Sequence, residues 1–380
     1  MRILHYIDHF KDDGGSSCFV KELALEDETI LTPKVDFEER RIKKVLLKGN
    51  FLDIQDFFEK VDNEKFDIFL LHSLKFMTPE ILSEMKKKDV KIGYISHDYY
   101  SICERVVLIN NRNMLCSGPY GKNCIYCYLD KYPFIPITRQ IRDLLFPFLS
   151  LILKRLRYYR DRKNFFDEIF TSIDKIIYPS KKSYEITDRF LKLKGKSVII
   201  NNFQKELVCL KRGKEKYPIF AFIGHSSFHK GLQTLLKAFK LLENKNIKLL
   251  LYGDVRIKNK DRRIIVKGKF RSEKINEVLK SFDVLVFPSI WPETSGRVIF
   301  EGAKCGKVII SSNLTAAKEL LKGYQKLYIF ENRNHLDLKS VIERVFKDWQ
   351  KIDIDSKYSK FDSVEMYREK LKDLFLENQK

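Results

Sequence analysis

Phe282-Asp283-Val284-Leu285-Val286-Phe287-Pro288-Ser289, followed by Pro292-Glu293-Thr294-Ser295-Gly296-Arg297-Val298-Ile299-Phe300-Glu301-Gly302-Ala303, decides the fold. The first segment is an apolar run of strand length, rich in β-branched and aromatic residues and closed by a proline. The second carries a carboxylate in a turn, passes through Gly296, and reaches a second carboxylate at helical spacing. Strand, turn and helix in that order make one βα unit, and repeated βα units build a parallel sheet. Ligands of open α/β sheets bind at the carboxyl ends of the strands, where Glu293 falls. Backbone N–H groups of Gly296, Arg297 and Val298 would open the helix, a place that attracts anions. Gly296 has no Cβ, so a phosphate can approach closely. Glu301 is placed to accept from a vicinal diol such as a ribose, and Glu293 to bond sugar hydroxyls. That set suits a nucleotide-sugar. The same spacing also fits two solvated glutamates flanking an ordinary helix.

Other segments repeat the pattern. Phe222-Ile223-Gly224-His225-Ser226-Ser227-Phe228-His229-Lys230-Gly231-Leu232 reads as a strand, a loop and a helix start. Leu250-Leu251-Tyr252-Gly253-Asp254 and Val266-Lys267-Gly268-Lys269-Phe270 read as further strands with their turns. Together these segments resemble glycosyltransferase family 4, retaining enzymes of GT-B fold, in order and spacing from about Ile219 to Ser311. The E-x7-E signature lies at Glu293 and Glu301, and Lys230-Gly231 matches the lysine–glycine pair that closes the family's glycine loop. His225 departs from the pattern, because many members have an arginine there.

The N-terminal half matches more loosely. A first strand within residues 1–10 is followed by Gly14-Gly15 and a helical stretch from Cys18 to Leu25. Such a glycine pair is either a plain turn or a place where backbone amides face a phosphate or an acceptor. Ile92-Gly93-Tyr94-Ile95-Ser96-His97-Asp98-Tyr99 is a strand ending in a polar turn, and His97 matches the family's active-site histidine.

The resemblance implies an α/β protein of GT-B type, with two doubly wound Rossmann-like domains facing across a cleft. Residues 1–203 would form the acceptor domain and 204–356 the nucleotide-sugar domain. Residues 357–380 would form a helix that packs back on the N-terminal domain. The implied activity is transfer of a hexose with retention, without a catalytic metal or other cofactor, from a UDP- or GDP-linked sugar. The implied acceptor is a hydroxyl of a lipid-linked or growing bacterial surface-polysaccharide glycan. Glu293, His97 and Lys230 would be catalytic. Glu301, Gly14, Gly15, Gly224, Gly231, Gly268, Phe270, Gly296, Arg297 and Val298 would bind the donor. Asp353-Ile354-Asp355, a metal-motif look-alike, sits in the C-terminal tail away from every other motif.

Composition agrees with two buried cores: 380 residues, 44% hydrophobic. Helices are expected from Leu232 to Leu242, Ser272 to Lys280 and Val364 to Glu377. Strands are expected at Phe66–Leu71, Lys175–Tyr178, Ser197–Ile200 and Lys307–Ile310. All of these strands are expected in parallel sheets covered on both faces. The formal net charge is +21, and cations crowd around a short apolar run in residues 139–163. That run is too short to span a bilayer. It suits either an anionic membrane surface or a long helix packed on the N-terminal domain. The start of the chain lacks a signal-peptide pattern, so the expected location is cytoplasmic, with a peripheral place on the inner membrane face.

Cys103, Cys116, Cys124 and Cys127 form a quartet that would either hold a structural zinc or remain free thiols. No nucleic-acid motif accompanies the positive charge, so no nucleic-acid partner is expected. A second reading is a catalytically degenerate GT-B protein that binds a glycan or nucleotide at a membrane.

Overall fold

A computed structural model of the chain describes residues 1–10, 14–35, 42–47, 50–116, 118, 124, 127, 158–191, 193, 195–210, 212–258 and 260–376. Strands β1 to β8 are Ile3–Tyr6, Thr29–Val35, Ile42–Leu47, Asn50–Asp53, Ile68–Leu71, Lys91–Ile95, Lys175–Tyr178 and Ser197–Ile199. They form one sheet in the order β4-β3-β2-β1-β5-β6-β7-β8. Helices α1 to α5 accompany it: Gly15–Leu23, Ile54–Glu64, Pro79–Lys87, Tyr158–Ser172 and Lys181–Leu191.

Strands β9 to β14 are Ile219–Ile223, Lys248–Tyr252, Ile264–Gly268, Val284–Phe287, Val308–Ser312 and Leu327–Phe330. They form a second sheet, β11-β10-β9-β12-β13-β14, parallel throughout. Helices α6 to α11 follow: Leu232–Lys240, Ile275–Lys280, Arg297–Lys304, Ala317–Leu320, His335–Asp348 and Val364–Leu376.

Local chemistry explains several of these elements. Helix α3 starts where Thr78 accepts from the Ile81 N–H and Pro79 takes the first turn, and it ends on Lys86 and Lys87. Helix α10 starts where Asn334 accepts from the Leu336 and Asp337 N–H groups. The central strands β1, β5, β12 and β13 are buried on both faces, as their apolar runs require. Phe220 and Val284 pack under α6 and α10, while Leu285 and Ile309 pack under α7 and α8. Burying a side chain such as Phe220 contributes roughly 1.5–3 kcal/mol.

The N-terminal sheet departs from the expected all-parallel arrangement. Its β2-β3 and β3-β4 pairings are antiparallel. The connections, residues 36–41 and 48–49, are too short for a crossover, so the chain folds back as hairpins. The helix expected from Cys18 begins earlier, at Gly15, and the one expected from Ser272 begins with a 3₁₀ turn before Ile275.

Helix α11 leaves the second domain and lies on the first. Tyr367, Leu371 and Phe375 pack with Ile3, Phe19, Leu23 and Ile68. Of the basic apolar run, residues 139–157 lie outside the described residues. At its far end Arg162 of α4 sits 3.2 Å from Glu104 and over the rings of Tyr100 and Phe166. Among the described residues no helix is long and apolar enough to cross a membrane. Cys103, Cys116, Cys124 and Cys127 are unbridged, and among the described residues no group of three or more His, Cys, Asp and Glu is arranged to hold a metal. Cys209 and Cys305 are joined by a disulfide, Cα–Cα 5.0 Å, a pairing the sequence did not suggest.

Candidate active site

Strand order in the second sheet reverses between β9 and β12, because their outer neighbours run away in opposite directions. A crevice opens beyond such a switch point. The loop after β9 runs to a 3₁₀ turn, Phe228–Lys230, and Gly231 then adopts φ 71° to start α6. A Cβ on Gly231 would lie 1.8 Å from the Pro288 carbonyl oxygen, so only glycine lets this loop touch the one after β12. The contact is hydrogen-bonded: the Ile290 N–H donates to the His229 carbonyl, and Ser289 Oγ lies 3.2 Å from the same oxygen.

This stitching brings Lys230 to Glu293. Lys230 Nζ is 2.6 Å from Glu293 Oε1, which also accepts from Ser289 Oγ and Trp291 Nε1, each at 2.9 Å. Glu293 is 5% exposed. Burial, the largest influence, pushes its carboxyl up, but the Lys230 ammonium and these hydrogen bonds outweigh it and hold the carboxyl below its usual range. Glu293 is therefore an anion at neutral pH. One oxygen is saturated, while Oε2 has no hydrogen-bond partner among the described residues.

Glu301 sits in a different setting. Gly296 caps α8 at φ 82° with no side-chain hydrogen bond to the first-turn amides. Arg297 Nε donates to Glu301 Oε1 at 2.8 Å, and its other arm reaches Glu22 of α1 at 2.5 Å. Lys205 adds a second cation 3.2 Å from Glu22. Burial raises the Glu301 carboxyl, against the pull of Arg297.

The N-terminal domain supplies the facing wall and grips the Glu293 loop. Tyr99 Oη donates to the Pro292 carbonyl at 2.7 Å, and Thr294 Oγ1 to the His97 carbonyl at 2.8 Å. Ser180 Oγ donates to the Thr294 carbonyl at 2.6 Å, and Asn202 Nδ2 to Ser295 Oγ at 3.0 Å. Trp291 and Ile290 pack against Tyr99, Ile102 and Leu108.

Between the domains lies a cavity of about 470 Å³, within the range of small-ligand sites. Gly14, Gly15, His97, Gly224, Lys230, Phe270, Glu293, Gly296, Arg297, Val298 and Glu301 all line it. Gly231 and Gly268, expected at the donor, do not. Gly231 serves the loop contact described above. Gly268 adopts φ 79°, and its carbonyl accepts from the Gly253 N–H. His225, which stands where an arginine is common, lines the cavity and accepts or donates at Ser227 Oγ, 2.6 Å away.

Glu22, Tyr99 and Ser180 were not singled out from the sequence. Their partners lie on the other domain, so no local spacing marks them.

The two-sheet arrangement with a cleft site can now be placed among known folds. Residues 210–361 match the family described as glycosyl transferases group 1. HepE of Anabaena, solved with UDP and glucose, superposes at TM-score 0.61 with 15% identity over 98% of each chain. The catalytic domain of starch synthase IV from Arabidopsis thaliana, bound to ADP and acarbose, superposes at 0.60 with 11% identity over 99% of each.

The fold is GT-B.

Lys230, Glu293 and Glu301 all fall within the residues that match the group 1 family. An uncharacterized 42.6 kDa protein in the cps region of Klebsiella pneumoniae is 22% identical over 296 residues, covering 76% of this chain and 68% of that one. In this GT-B protein the cleft is closed on one side by the grip on the Glu293 loop, with the cavity beside it.

Proposed function

We propose that the protein is a retaining glycosyltransferase of family 4 type that uses a nucleoside diphosphate sugar. The observation that carries this reading is the Lys230–Glu293 pair on the cavity wall, 2.6 Å apart and beside the uncapped start of α8. Breaking the bond from the anomeric carbon to phosphate leaves an electron pair, and so charge, on the diphosphate. Lys230 and the α8 amides are preorganised to stabilise that charge, the kind of contribution that dominates many enzymes. The bare oxygen of Glu293 is free for donor-sugar hydroxyls, and its charge favours the cationic character that develops at the anomeric carbon. The acceptor hydroxyl forms the new bond from the face the phosphate leaves and gives its proton to a phosphate oxygen. Nothing in these steps calls on a metal.

The acceptor we infer is a glycan or lipid-linked glycan of a surface polysaccharide, supported by likeness to the cps-region protein. UDP is the first nucleotide to test, since HepE was solved with it. Work at the cytoplasmic membrane face, with the basic run 139–163 as the contact, belongs to the same proposal.

The test is thermal stabilisation by UDP, GDP, ADP and their sugar conjugates, with and without EDTA. One nucleotide is expected to raise the melting temperature by mass action, and EDTA is expected to leave that rise unchanged. Glu301→Ala should weaken nucleotide binding about 10- to 100-fold, the worth of a hydrogen bond to a charged group. Equal stabilisation of Glu301→Ala and the parent by the same nucleotide would remove Glu301 from the ribose. No stabilisation by any of the nucleotides would favour the degenerate binder.

A further inference from the structure

Three histidines cross the N-terminal sheet in a line. His5 lies in β1, His72 directly follows β5, and His97 stands two residues beyond β6. These strands are neighbours in the sheet. His97 Nε2 is 3.1 Å from His72 Nδ1, and His72 Nε2 is 3.1 Å from His5 Nδ1. His5 Nε2 is 3.3 Å from Oε2 of Glu28, the residue that directly precedes the next strand, β2. The rings lie edge to edge and close to coplanar, with centroids 5.3 Å and 5.4 Å apart and interplanar angles of 27° and 13°. Arg368 of α11 closes the line, 2.6 Å and 2.8 Å from the two oxygens of Glu28. His5, His72 and Glu28 are buried, while His97 is half-buried and lines the cavity.

The direction of every hydrogen bond follows from the far end. A neutral imidazole has one N–H and one lone pair, whereas a carboxylate only accepts. Burial, the largest influence on Glu28, pushes its carboxyl up, but hydrogen bonds from His5, Arg368 and the Leu25 amide bring it down to about 2. It is ionised at neutral pH, so His5 must present Nε2–H to it. His5 Nδ1 is then a lone pair, and His72 must donate to it from Nε2. His72 Nδ1 is a lone pair in turn, and His97 must donate from Nε2. Burial keeps all three rings neutral: His5 and His72 fall below the usual value, and His97 falls to about 4. What remains is His97 Nδ1, which has no partner among the described residues.

We propose that His72, His5 and Glu28 are positioning residues that hold His97 as its Nε2–H tautomer and leave Nδ1 bare as a hydrogen-bond acceptor for a hydroxyl in the cavity. The inference deepens the transferase reading by specifying what His97 offers a sugar. The tautomer itself requires no substrate. Arg368 extends the line to α11, so docking of the last helix and the state of a cavity side chain are linked through one carboxylate. The partner of one histidine nitrogen decides whether that nitrogen carries the proton, and so what the other nitrogen can offer.

The test is long-range ¹H–¹⁵N correlation on ligand-free protein with ¹⁵N-labelled histidine at neutral pH, the seven histidines being assigned from single His→Gln variants. His97, His72 and His5 should each show a protonated Nε2 and a bare Nδ1. A protonated Nδ1, or averaged nitrogens, on His97 in the unaltered protein would overturn the proposal. His72→Phe keeps a ring in the line but ends the relay, so the two His97 nitrogen signals should move toward each other as both tautomers fill. Unmoved His97 signals in that variant would also overturn it. If His72→Phe does not fold, the spectrum of the unaltered protein decides. UDP-induced stabilisation, measured separately, tests the transferase reading, so a failure of either is told apart from a failure of the other.

Discussion

Lys230→Ala is expected to lower turnover about 10²- to 10³-fold, the usual loss when one preorganised donor to a developing anion is removed. The fold should survive, because Ser289 and Trp291 still donate to Glu293 Oε1. The carboxylate nonetheless loses its only ion-pair partner among the described residues. Burial then acts with less opposition, and its pKa should climb. A stability cost of about 1–3 kcal/mol is expected, the range for a buried polar group left short of a partner. Initial rates with the donor found in the nucleotide screen, beside a denaturant melt, would separate the two effects. Turnover within a few-fold of the parent would mean that Lys230 serves the apo loop and not the diphosphate.

The second large effect concerns stability. Arg368→Met should destabilise the protein by about 3–5 kcal/mol near neutral pH, because removing one partner of a buried ion pair leaves the other charge uncompensated. The pair is well enclosed: the side chains of Arg368 and Glu28 are 12% and 1% exposed. The loss should fade in acid. Glu28 titrates near 2 in the folded protein against an ordinary 4.5. Its stabilisation is therefore whole above about pH 4.5 and is lost as pH falls toward 2. The gap between parent and variant in urea midpoints should be full near neutrality and narrow at about pH 3. A gap of constant size would show that Arg368 matters through packing alone. The variant should also loosen the His97 tautomer, since Arg368 helps hold Glu28 ionised.

Much of the fold was legible because its signals are local. Val284–Phe287 and Val308–Ser312 are strands because apolar, β-branched runs bury on both faces. Gly224, Gly231 and Gly296 mark the turns after β9 and before α6 and α8. From those runs alone Lys230, Glu293 and Glu301 could be put at strand ends and helix starts, and all three do line one cavity. The antiparallel β2–β4 edge was not legible. Residues 29–53 have no strong alternation, and short connections, not periodicity, turned them back. The disulfide between Cys209 and Cys305 was equally hidden, since 96 residues separate the two.

The site divides the same way. That Glu293 is a candidate came from its place after a strand. That its Oε1 is occupied by three donors and its Oε2 is bare came from the packing of two loops through Gly231. That the loop is gripped by Tyr99, Ser180 and His97 came from the closure of one domain on the other.

The sequence by itself determined the order of βα units, and with it which residues stand at strand ends, because periodicity and turn chemistry act over a few residues. Strand order was decided only in the tertiary structure. Placing β2, β1, β5 and β6 side by side put Glu28, His5, His72 and His97 in one line, and docking α11 put Arg368 at its end. Hydrogen bonds need approach to about 3 Å, and no local rule brings residues so far apart in the chain that close.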